Sequence, residues 1–217
     1  RFDYGDCFYA PSLFSDKINN RTLLSGWISE AIENHKQKNF GCIALPKIIS
    51  LDSDSILNIS PAPELANLRK EVIINEKKII SSQKDNFNLF KSNTFEVKLS
   101  FLKNNSKKVI LNFCKNLEFD EYTSIIIDRK NLNFELNRSK SSLKAGSDLS
   151  LIETKISFTD LIIHMFVDIS VIEVFLNYKK ILTSRIYPNS DSKNFEIYSE
   201  GGNAEIDIQL WTMDNCK

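Results

Sequence analysis

The chain has no net charge, because its 28 basic residues are matched by 28 acidic ones across 217 positions. A surface that neutralises phosphates normally shows as a basic excess, so nucleic acid is not an expected partner. No apolar run approaches the roughly 20 residues of a bilayer-spanning helix, so no membrane partner is expected either. Cys7, Cys42, Cys114 and Cys216 form no C-x-x-C pair, and neither His35 nor His164 stands within ligand spacing of one. No metal site and no other cofactor is expected. Scattered buried thiols are favoured over disulfides. Neither a signal peptide nor an initiator Met is visible, and Arg1 opens inside a patterned segment, so a cut or processed N-terminus is the expectation. The sequons at Asn20, Asn58, Asn104 and Asn137 do not decide the compartment.

What is present is a period of two. With 42% hydrophobic and 11% aromatic residues, the chain can build a real core. Phe95, Val97, Leu99 and Phe101 alternate with Glu96, Lys98 and Ser100, as in a strand with one buried face. Similar short strands are predicted at 109–113, 124–128, 132–136, 161–167, 171–176, 181–186, 195–198 and 204–211. Gly, Asn, Asp and Ser fall between them as turn residues. Asn177–Lys180 joins two of them as a hairpin, although it lacks Asn-Gly. Eight or more such strands predict two packed antiparallel sheets. The only helical segment predicted is Pro61–Arg69, where Leu65 and Leu68 follow two prolines suited to a first turn. It divides the chain into residues 1–60, a linker at 61–70 and a sandwich at 71–217. Strands are predicted at 22–28 and 43–51 of the first part. Burying the four apolar residues of the 95–101 strand offers roughly 6–12 kcal/mol at most, so the sandwich should fold alone.

A family resemblance enters at Met165–Asn177 with Leu182–Pro188, a run similar to the signature in the last third of glycoside hydrolase family 32. The Asp3-Tyr4-Gly5 and Phe8–Pro11 stretches, the run from Asn20 to Trp27, and Gly41–Lys47 resemble family segments in the same order. Pro63–Leu65 with Leu68-Arg69 resembles the family linker, and Asp128 with Arg138-Ser139 fits a weaker motif. Lys47, Phe40 and Ile169 depart from the usual Arg, Trp and Arg. The resemblance implies an all-β chain: a concanavalin-like antiparallel β-sandwich preceded by the last part of a five-bladed β-propeller.

It also implies a function for the parent protein, a retaining β-fructosidase acting on sucrose or fructans. Such enzymes use a nucleophile and an acid/base carboxyl about 5 Å apart. The family's W-M-N-D-P, E-C and R-D-P motifs are absent here, so no catalytic residue is assigned and the isolated chain is expected to be inactive. Asp3 is the one expected substrate-binding residue, at the rim near the aglycone sugar, where two acceptor oxygens suit vicinal hydroxyls. Its bland alternative is a turn cap ahead of Gly5. Tyr9 and Trp27 are sugar-stacking candidates with a core role as the alternative. Asp168 and Glu173 are expected to cap the turn or pair with Arg185, and His35 and His164 to be structural or solvated. The implied partners are the rest of the propeller, through it a sucrose or fructan substrate, and a second subunit in a homo-oligomer. Residues 1–60 are expected to pack on other polypeptide or be poorly supported, because an incomplete propeller leaves open edges. The alternative function is a non-catalytic carbohydrate-binding or interaction sandwich.

Overall fold

In the computed structural model, residues 1–31, 41–88, 93–142, 151–157 and 160–214 are described. His35 and Phe40 lie outside them. The first body is one antiparallel sheet. It contains β1 (Phe8–Asp16), β2 (Arg21–Ile28), β3 (Cys42–Ile43), β4 (Lys47–Leu51) and β5 (Leu57–Pro61), in the order β1-β2-β4-β5 with β3 also on β2. The strand predicted over 43–51 is therefore two pieces. Pro46 has no N–H to give a ladder, and the Leu45 N–H donates to the Glu173 carboxylate instead. The linker is a 3₁₀ turn at Pro63–Leu68 with proline in its first turn and no side-chain cap. Arg69 and Lys70 already belong to the next strand.

The sandwich holds two six-stranded sheets. The inner one comprises β6 (Arg69–Ile80), β8 (Thr94–Asn104), β13 (Ile162–Asp168), β14 (Val171–Leu176), β15 (Lys180–Arg185) and β17 (Ala204–Met213), ordered β15-β14-β13-β8-β17-β6. The outer one comprises β7 (Asp85–Asn88), β9 (Lys108–Lys115), β10 (Thr123–Asp128), β11 (Asn133–Asn137), β12 (Leu151–Lys155) and β16 (Asn194–Glu200), ordered β12-β11-β10-β9-β16-β7. Every pairing within the sheets is antiparallel. Phe95, Val97, Leu99 and Phe101 enter the core between the sheets as expected, and Phe95 meets Phe113 edge-on at 6.1 Å.

The inner sheet is covered on its other face as well. Ile163, Met165 and Val167 of β13 point into the sandwich, whereas Phe166 joins Phe175, Ile181 and Ile59 in a second apolar cluster. Phe2, Leu45, Ile49 and Leu57 of the first body pack onto that cluster. This corrects the expectation of poor support for residues 1–60. Their described residues form a regular sheet that packs on the sandwich through β4, β5 and the segments beside them, while β1 is exposed along both faces. On β1, Tyr9 and Phe14 of one face and Leu13 of the other are 66%, 54% and 63% exposed.

One local correction concerns the thiols, and two turns carry positive φ. Cys7 and Cys114 are buried free thiols, but Cys42 is exposed on the short strand β3; Cys216 lies outside the described residues. The Asn177–Lys180 hairpin forms without Asn-Gly because Asn177 and Tyr178 both accept positive φ (50° and 52°). The Ile169 turn carries a β-branched residue at φ 51°, an unfavourable position for a side chain branched at Cβ. Ile169→Gly is expected to stabilise the chain by about 1 kcal/mol, read as a rise in the urea midpoint. A lower midpoint would show that the Ile169 side chain contributes more than the turn costs.

Candidate functional site: a buried polar seam

The line where the first body meets β14 and β15 concentrates the buried charge. Residues 2–7 run parallel to β15, with Asp3 bridged to Ile181. The Tyr4 N–H donates to Ile181 O at 2.7 Å and the Ile181 N–H to Phe2 O at 3.0 Å. Gly5 permits this approach, since a Cβ there would stand 1.9 Å from Thr183 O. Gly5→Ala must push the segment off β15, at a cost of about 1–3 kcal/mol by overpacking. A thermal midpoint equal to the parent's would contradict that.

Asp3 occupies the head of the seam. Its Oδ1 accepts from the Gly5 N–H at 2.8 Å and the Thr183 N–H at 3.1 Å. The turn cap is thus present, and it doubles as a tie to β15. Oδ2 is buried without a hydrogen-bond partner among the described residues. Burial lifts the Asp3 carboxyl above the ordinary range against the lowering pull of Thr183, Gly5 and Lys47. A carboxyl with a raised folded pKa contributes its stability below the unfolded value and loses it as pH rises through the folded one. Asp3→Asn keeps the Oδ1 bonds and removes the charge, so its thermal midpoint should gain on the parent's as pH rises above the ordinary carboxylate range. An equal response to pH in both proteins would overturn the assignment.

Lys47 and Glu173 form the centre. Both are buried, the ammonium contacts Glu173 Oε2, and Lys47 also donates to Leu45 O at 2.9 Å. Glu173 Oε1 accepts the Leu45 N–H at 2.7 Å. The expectation that Glu173 or Asp168 pairs with Arg185 is therefore corrected. Asp168 is exposed and accepts from the Thr94 hydroxyl at 3.2 Å. Arg185 reaches Glu30 at 3.1 Å, and also donates to Ser29 O, Ile28 O and Ser170 Oγ. Its guanidinium binds the incoming body because that body's backbone supplies the acceptors.

Arg138 closes the far end. It is 1% exposed and donates to Asp6 at 2.6 Å, Ser184 Oγ at 2.6 Å and Arg185 O at 3.1 Å. Ser184 in turn donates to Asp6 Oδ1 at 2.7 Å. Burial would raise the Asp6 carboxyl, but Arg138 and Ser184 outweigh it and hold the group below its usual range. Asp128, the other half of that weaker motif, caps the turn into β11 through Asn131.

The remaining candidates do not gather into one site. Tyr9 and Trp27 face each other across β1 and β2, edge-on at 6.2 Å and largely exposed, so they are not core residues. His164 is buried rather than solvated and meets Glu96 at 2.6 Å. Lys47, Glu30 and Asp6 were not anticipated as seam residues. Their partners lie more than 100 residues away in sequence, so spacing carried no signal.

The sequence of residues 64–212 matches the family model described as "Glycosyl hydrolases family 32 C terminal". The chain belongs to glycoside hydrolase family 32. It is 25% identical over 222 residues to the sucrose-6-phosphate hydrolase of Staphylococcus xylosus, covering 97% of this chain and 43% of that protein. The chain thus spans less than half the length of this curated relative. Its fold is similar to the crystal structure of exo-inulinase from Aspergillus awamori, with TM-score 0.83 and 22% identity over 98% of this chain and 44% of the other. It is also similar to fructan 1-exohydrolase IIa from Cichorium intybus, with TM-score 0.84 and 18% identity over 100% of this chain and 50% of the other.

Proposed function

We propose that the chain is the C-terminal part of a retaining β-fructosidase hydrolysing sucrose or fructans, whose paired catalytic carboxyls lie outside these residues. The observation that carries this is the family match over 64–212 on a chain that spans 43% of its sucrose-6-phosphate hydrolase relative. The sugar class is supported by a structural neighbour in complex with 1-kestose and another in complex with sucrose. In this reading the sandwich braces the first body, and the bare face of its β1 and β2 that carries Tyr9, Phe14 and Trp27 receives the rest of the propeller. An exposed apolar face of this kind marks an interaction surface.

Asp3 keeps its proposed place at the rim, near the aglycone sugar. Its Oδ1 is already engaged by two backbone N–H groups, so Oδ2, buried and without a hydrogen-bond partner among the described residues, is the oxygen left to accept from a hydroxyl. The test is hydrolysis of sucrose and 1-kestose by the longer polypeptide that carries this chain. Turnover that disappears when an upstream carboxyl is replaced is the expected result. Binding without cleavage would instead favour the sandwich as a sugar-binding module.

A further inference from the structure

A cavity of about 240 Å³ lies between the linker and the inner sheet, outside the seam. Pro61, Ala62, Pro63, Leu65 and Ala66 form one wall, and Phe166 and Tyr178 form the other. At its floor Glu96 is held by Arg69, with Nε to Oε2 at 2.8 Å and Nη2 to Oε1 at 2.6 Å. His164 Nε2 meets the same Oε1 at 2.6 Å, and its Nδ1 faces the Tyr178 hydroxyl at 3.3 Å. Arg69 stacks over Trp211 at 3.8 Å, which fixes the guanidinium plane.

Three properties limit the occupant. The volume is below the roughly 300–1,000 Å³ of drug-sized ligand pockets, so a single small ring fits. The Glu96 charge is matched by Arg69, so the site offers no excess charge to a phosphate or an ammonium group. The walls are apolar and aromatic, while Oε2 accepts from Arg69 Nε and a carboxylate oxygen has capacity for another bond. A neutral ring with one C–H face and vicinal hydroxyls meets all three conditions.

We infer that this cavity is an ancillary subsite for one neutral sugar ring of an oligosaccharide. The sugar's C–H face lies against Phe166 and Tyr178, one hydroxyl donates to Glu96 Oε2, and its neighbour accepts from Arg69. The choice of a fructosyl or glucosyl ring rests on the proposed function; the shape and neutrality of the site do not. The prolines of the wall are stiff, so the cavity exists before the ligand arrives and little ordering cost is added on binding.

The test is calorimetric titration of the full chain with 1-kestose and with sucrose, repeated on Ala66→Trp. Ala66 is exposed at the lip of the cavity, so tryptophan there fills the opening without entering the core. Saturable binding with Kd of about 1–10 mM, weakened at least about tenfold in Ala66→Trp at an unchanged thermal midpoint, is the expected result. A second variant, Arg69→Lys, keeps the charge but loses the bidentate fork, and should weaken binding several-fold. No saturation with either sugar, or binding indifferent to both variants, would overturn the subsite. Hydrolysis by the longer polypeptide is measured separately, so loss of the subsite and loss of the proposed activity are distinguishable.

Discussion

Replacing Lys47 with methionine is expected to destabilise the chain by about 3–5 kcal/mol, the usual cost of removing one partner from a buried ion pair. Among the described residues, Glu173 would keep its charge with only the Leu45 N–H to hold it, in a seam where Asp3 Oδ2 and Thr183 Oγ1 are also unpartnered. The effect should be local. Trp27 sits in the first body and Trp211 in the sandwich. In proteins keeping one tryptophan each, the Trp27 signal should therefore melt earlier than the Trp211 signal. Lys47→Met combined with Glu173→Gln should recover most of the loss, because glutamine still accepts from Leu45 and brings no charge. Coincident melting of both signals in the single variant would show that the seam does not separate the two bodies.

Phe95→Ala should cost about 3–5 kcal/mol and act everywhere. Phe95 is fully buried between the two six-stranded sheets and packs on Phe113. The first body has its inner side on Phe166, Phe175 and Ile181 of the sandwich, so it loses its support when the sandwich unfolds. Both tryptophan signals should fall together in this variant. A drop confined to Trp211 would mean that residues 1–61 hold their own fold.

The sandwich strands were legible because their chemistry repeats locally. In β17, buried and half-buried positions alternate over most of its length, as the sequence of Ala204–Met213 predicts. Strand β6 escaped for the opposite reason. It is an edge strand in which only Ile74 and Ile80 are buried, so charge dilutes the alternation. Strand β1 was hidden by Pro11 and by a register shift between Tyr9 and Ser12. The predicted helix proved to be a 3₁₀ turn, since two prolines and six residues give too little length for an α-helical ladder.

The site was legible only in part. Asp3 could be singled out, because a short polar motif ahead of a glycine is visible in sequence. Its tie to Thr183 could not be, since the partner is 180 positions away. Glu173 looked like a partner for Arg185 because the two are neighbours in the chain signature. The structure gives Glu173 to Lys47 and Arg185 to Glu30, because the first body inserts its own charges between them. Long-range pairing of this kind is set by how two sheets dock, and no period in the sequence reports it.

Glucose release from sucrose by the isolated 217-residue chain tests the central claim most directly. The account predicts a rate no greater than the buffer blank, while the sandwich stays folded. Turnover above the blank that vanishes in Asp168→Asn or Glu173→Gln would place the catalytic acids inside this chain and contradict it.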